Sequence, residues 1–104
     1  MVDRLPKYLF IVRVDVDPKD EERFNEWYNH EHIPTMLKVP GVLNAHRYIS
    51  LEGNPKYTAI YEFDRPDVRK SEEWKKAAEV SPWPRNMKLS NIAYSLHQII
   101  VPKK

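Results

Sequence analysis

A chain of 104 residues is enough for one domain with a buried core and too short for two. Seventeen basic against 15 acidic residues leave a net charge of +2, too balanced to signal a nucleic-acid or membrane partner, and Lys103-Lys104 reads as a solvated tail. The absence of cysteine excludes a disulfide scaffold, a thiol nucleophile and a thiolate metal site; no long apolar run reads as a signal peptide or membrane span, so a cytoplasmic enzyme or binding protein is expected.

Tyr8 to Val16 is a near-continuous apolar and β-branched run, the pattern of a strand covered on both faces. Asp17-Pro18-Lys19-Asp20 then starts a helix. Asp17 can cap the free amides, Pro18 suits the first helical position, and Asp20 and Glu21 favour the positive end of the dipole. The spacing predicts a helix from Pro18 to about Leu37, loosened around His30 because Pro34 has no N–H and its ring crowds the carbonyl four residues earlier. Val39-Pro40-Gly41 is a turn into a second strand, Val42 to Leu51, whose Asn44, His46, Tyr48 and Ser50 share one face. Glu52-Gly53-Asn54-Pro55 is a hairpin loop into a third strand, Lys56 to Phe63. A short helix begins at Ser71-Glu72-Glu73, with Trp74, Ala77 and Ala78 as its buried stripe, and Ser81-Pro82-Trp83-Pro84 ends it. Asn91 to Val101 is the last strand, with Ile92, Tyr94, Leu96 and Ile100 on one face and Ala93, Ser95 and His97 on the other.

The order βαββαβ predicts an α+β, ferredoxin-like domain spanning residues 1–104, a four-stranded antiparallel sheet with two helices on one face. The other sheet face would combine the polar face of the second strand with apolar side chains of the central strands, too apolar to leave in water. A second copy of the chain is the natural cover, making a barrel-like homodimer with a pocket for a small molecule in each subunit.

One feature breaks the helical pattern. Phe24, Trp27 and Tyr28 form the inward stripe, and the next positions of that spacing are Glu31 and His32, an acid and an imidazole on the core face. The stretch Phe24 to Tyr48, with Trp27-Tyr28, Glu31-His32-Ile33-Pro34, Val39-Pro40-Gly41 and Arg47-Tyr48, resembles the EthD-like branch of the dimeric α/β-barrel superfamily; Ser81-Pro82-Trp83 is also similar to a segment of that group. The resemblance implies a homodimer whose open sheet faces line the active-site clefts, usually without metal or organic cofactor. It also implies isomerase, cyclase or lyase chemistry that moves protons on small, often aromatic or lactone-bearing substrates, with His32, His46 and Tyr48 at the matching positions.

By residue chemistry, His32 titrates nearest neutrality, and Glu31 or a strand hydroxyl could fix its tautomer. Alternatively, His32 braces the Pro34 kink by bonding a freed carbonyl, and Glu31 pairs with Arg47 or Lys38. His46 and Tyr48, two apart on a strand, can reach one ligand, the phenol polarising a carbonyl while the imidazole takes the proton; alternatively both are polar residues at a dimer seam. Arg13, Trp27, Asn44, Trp83 and His97 are the candidate substrate contacts, Arg13 for a carboxylate and Trp83 as a lid between prolines. His30-Glu31-His32 lacks the i, i+4 histidine spacing of a zinc site, so no metal is expected. The expected function is cofactor-independent lyase, cyclase or isomerase chemistry by general acid–base catalysis. The alternatives are a cofactor-free or haem-consuming monooxygenase, or a non-catalytic ligand-binding dimer. RNA binding shares the element order, and Lys56 to Phe63 partly mimics an aromatic RNA-binding strand, but the glycines and basic excess of such domains are missing.

Overall fold

The computed structural model of the chain describes residues 5–102; Lys103-Lys104, expected as a tail, lies outside them. Strands β1 (Tyr8–Val16), β2 (Val42–Ile49), β3 (Tyr57–Phe63) and β4 (Leu89–Gln98) alternate with helical segments α1 (Glu21–Trp27), α2 (Ile33–Met36) and α3 (Glu72–Val80). The strands pair antiparallel in the order β2-β3-β1-β4, which is the ferredoxin-like arrangement. Strand ends differ from expectation by one to three residues: β2 stops at Ile49, β3 starts at Tyr57, and β4 runs Leu89–Gln98 rather than Asn91 to Val101.

Alternation decides which face is core. Phe10, Val12, Val14 and Val16 of β1 and Tyr57, Ala59, Tyr61 and Phe63 of β3 are buried against Phe24, Trp27, Tyr28 and Met36 of the first helical arm. Between them on β1, Leu9, Ile11 and Asp15 are only half-buried and Arg13 is exposed. The first strand is therefore covered on one face within the chain, not on both. Its apolar run carries Leu9 and Ile11 onto the open side. The second helix is also less buried than its stripe suggested, with Trp74 and Ala77 half-buried and Ala78 exposed, because α3 lies at the rim of the core.

The first helical arm changes pitch twice. Asp17 accepts a hydrogen bond from the Lys19 N–H (3.0 Å) and starts a 3-10 turn over Pro18–Asp20, which leads into α1. From Tyr28 to His32 the helix widens into a π turn, closed by the Ile33 N–H donating to the Tyr28 carbonyl. Pro34 follows at once in α2, so the loosening expected near His30 takes the form of this wider turn. A π turn uses more residues per revolution, so the inward stripe slips by about one position. Glu31 swings out to solvent while His32 stays turned inward.

The turn before β2 depends on Gly41, whose φ of +96° is a region side chains avoid. A Cβ there would also stand 2.8 Å from Arg65 and from Val68, whose side chain is fully buried. Gly41→Ala is expected to destabilise the fold by about 1–3 kcal/mol, read as a lower urea midpoint at constant slope.

Candidate functional site

A cavity of about 320 Å³ opens between the first helical arm, α3 and the helix-covered face of the sheet. Its floor is Phe10 and Val12 of β1, Tyr61 of β3 and Tyr94 of β4. Trp27, Tyr28, His32 and Met36 form one wall; Arg69, Trp74 and Ala78 form the other; Ser81-Pro82-Trp83 closes one end. Trp83 packs on Trp27 with ring centres 5.3 Å apart, and its indole N–H donates to the Tyr94 hydroxyl (3.3 Å).

His32 places an imidazole in this largely aromatic shell. Its ring stacks on Trp27 at 4.5 Å and meets the Tyr28 ring edge-on at 5.3 Å. Nδ1 lies 3.0 Å from the Ser81 carbonyl oxygen and 3.1 Å from its hydroxyl. A carbonyl only accepts, so the ring hydrogen resides on Nδ1 and Nε2 carries the lone pair. His32 thus spans from the π turn to the chain after α3, rather than bracing a carbonyl freed by Pro34. Burial pulls its pKa down to about 4, a fall that the Ser81 carbonyl partly opposes, so the ring is neutral at physiological pH. No buried side-chain nitrogen or oxygen among the described residues lacks a partner, so Nε2, which has none, retains solvent contact.

Two phenols adjoin the imidazole. Burial pushes the Tyr28 hydroxyl up to about 12 and raises Tyr61 further, with the neighbouring Tyr28 adding to the effect. Both are protonated hydrogen-bond donors at any ordinary pH. Behind Tyr28, the Arg47 guanidinium lies 4.4 Å from the ring centre and donates to Asn29 (2.7 Å) and Asn25 (2.9 Å). Those amides, not Glu31, are the partners of Arg47, because the π turn points Glu31 away.

The sequence candidates separate onto two faces. His32, Trp27 and Trp83 line the cavity. His46 and Tyr48 do not join them: Ala45 pairs with buried Tyr61 and Arg47 with buried Ala59, so the intervening side chains of β2 project from the opposite side. There His46 bonds Glu62 (2.8 Å), and Asn44, Tyr48, Arg13 and His97 share that face, His97 bonded to Ser95 (2.8 Å). A single cleft holding His32 with His46 or Tyr48 on the open face is thus corrected by the thickness of the sheet. Ser81, Tyr28, Tyr61 and Arg69 were not anticipated as site residues. Ser81 stood in the Ser-Pro-Trp-Pro stretch, read as a helix stop and as part of a family-like segment, and Tyr28 read as part of the inward stripe.

The sequence profile of DUF4286, a domain of unknown function, matches residues 7–80, which carry most of this cavity. The chain belongs to that family. No curated protein matches it. Among solved structures, the family fold seen here is similar to the heme degrader MhuD from Mycobacterium tuberculosis, with two hemes bound in its active site (11% identity, TM-score 0.69, covering 93% of this chain and 99% of that one). It is also similar to an ethyl tert-butyl ether d (EthD) family protein from Bacillus halodurans (14%, TM-score 0.63, 89% and 99%). A candidate antibiotic biosynthesis monooxygenase from Bordetella bronchiseptica is comparable (14%, TM-score 0.64, 91% and 99%). At these identities the likeness establishes the fold, in agreement with the EthD-like resemblance, and does not fix a reaction.

The depressed His32 pKa has a testable consequence for stability. Between about pH 6.5 and pH 4 the unfolded chain binds a proton at this histidine that the folded chain refuses, so stability falls as pH drops through that window. The contribution of His32 is roughly 2 kcal/mol by pH 4.5. Unfolding free energies from urea titrations at pH 7.5 and 4.5 should converge by that amount in His32→Gln relative to the unaltered chain, the other titrating groups being common to both.

Proposed function

We propose that the helix-side cavity binds a small planar compound of one or two rings and transfers a proton within it, without an organic cofactor. The single observation that carries this reading is the state of His32: neutral, held by Ser81 through Nδ1, and presenting Nε2 in an aromatic chamber. A proton acidified by a neighbouring carbonyl can pass to Nε2, while Tyr28 or Tyr61 donates to the carbonyl oxygen. The resulting imidazolium and enolate neutralise each other in a poorly solvated site, which offsets the low basicity of the ring. This is the division of labour expected of an imidazole and a phenol on β2, assembled here from the first helical arm and β3. Isomerisation, ring closure and elimination all begin with such a step.

A second fate for the same enolate is reaction with dioxygen, the monooxygenase reading, favoured by the likeness to an antibiotic biosynthesis monooxygenase. Haem fits less well. An imidazole with a free Nε2 is a competent iron ligand, but about 320 Å³ is at the lower end of the range for small-molecule sites and suits one or two rings rather than a tetrapyrrole.

The open sheet face supports a homodimer as the working unit. Leu9, Ile11 and Ile60 share it with Tyr48, which is 55% exposed in the isolated chain. Ile11→Lys is expected to convert a dimer to a monomer in sedimentation; an unchanged mass, or a monomeric parent, counts against this interface.

Proton transfer is tested with 2-tetralone in deuterated buffer. The protein should accelerate deuterium entry at the carbon beside the carbonyl, and His32→Gln should slow it about a hundredfold. Tyr28→Phe should slow it about tenfold, through loss of one donor to the oxygen. Equal rates for the parent and His32→Gln would reject the assignment, and a loss confined to Tyr48→Phe would move the site to the open face. Dioxygen uptake during turnover separates the oxygenase branch.

A further inference from the structure

We propose that this cavity selects a carboxylate-bearing aromatic compound, and that Arg69 is the residue that takes the carboxylate. The inference rests on the reading of the cavity as a site for planar compounds and names the class of compound. Arg69 sits on the short 3-10 turn Val68–Lys70, whose backbone is pinned by the fully buried Val68. From there its guanidinium reaches over the cavity floor, 4.1 Å from the centre of the Phe10 ring and 5.8 Å from that of Tyr94. Those two rings are themselves stacked, 6.0 Å apart and 6° from parallel. Contact with aromatic faces orients the cation but uses none of its N–H donors.

Arg65, four residues earlier, is held by Asp64 (3.1 Å) and Asp67 (3.2 Å), and Arg47 by two side-chain amides. Arg69 has no hydrogen-bond acceptor and no carboxylate partner among the described residues. Among the described residues, the cavity lining includes no aspartate or glutamate, and its only permanent charge is Arg69. His32, the other ionisable base in the lining, is neutral at physiological pH. The chamber therefore carries, at its solvent-exposed edge, one positive charge without a carboxylate partner. A planar fork with five free donors matches a carboxylate in two-point contact, and the rings beneath it match the face of an arene. Arg13, the arginine expected to meet a carboxylate, projects from the opposite side of the sheet.

Isothermal titration of the full chain with 2-naphthoate and with 2-naphthamide tests this, since the two share a ring system and differ in charge. The unaltered protein should bind 2-naphthoate about tenfold more tightly than the amide. Arg69→Met, which keeps an apolar stem over Phe10, should abolish that preference by weakening the acid alone, and Arg69→Lys should recover only part of it. Equal affinities for acid and amide in the unaltered protein, or a preference that survives Arg69→Met, would overturn the assignment of Arg69 and leave the aromatic cavity standing. Failure of both ring compounds to bind would instead remove the cavity reading, and this inference with it.

Discussion

The hydrogen bond from His32 Nδ1 to the Ser81 carbonyl joins two segments that no other polar side chain of the cavity links. One end is set by the π turn before Pro34, and the other by the proline-bounded exit from α3. With both ends placed, the imidazole lies flat against Trp27 and edge-on to Tyr28, one nitrogen committed and the other available. Loss of either segment's geometry would leave a polar ring in an aromatic shell without a partner, an arrangement that costs about 1–3 kcal/mol. The orientation of the ring and its tautomer are thus consequences of one contact and the backbone that supports it, while its neutrality follows from burial.

Electrostatics in the chamber follow from burial of its titratable rings and from scarce charge. Burial drives His32 toward its neutral form and keeps the Tyr28 and Tyr61 phenols protonated, so the site holds a base and two donors without net charge among them. Arg69, solvent-exposed at the mouth, adds the one permanent charge of the lining among the described residues. The opposite sheet face works differently. There His46 meets Glu62 and His97 meets Ser95 laterally along the sheet, with apolar side chains between them. Such a surface suits burial against a partner, whereas the helix-side chamber suits a ligand.

Of the fold, the sequence by itself determined the element order, the identity of the first strand, the Asp17 cap, the turn at Gly41 and the loosened helix near Pro34. Each rests on a local rule: side-chain period, a missing N–H, or a backbone angle open only to glycine. It also singled out His32 as the polar intrusion on a core stripe, and Trp27 and Trp83 as its companions. Only the tertiary structure decided which candidates share a space. A strand's period of two separates its residues into two faces but does not say which face the helices cover, and that choice sent His46 and Tyr48 away from His32. The slip of the π turn, one residue in register, turned Glu31 outward. Ser81, Tyr61 and Arg69 lie 49, 29 and 37 residues from His32 in the chain and meet around the cavity through strand pairing and helix packing. Residues brought together by folding over such separations carry no local pattern, and so the composition of the chamber was legible only once the sheet and its helices were in place.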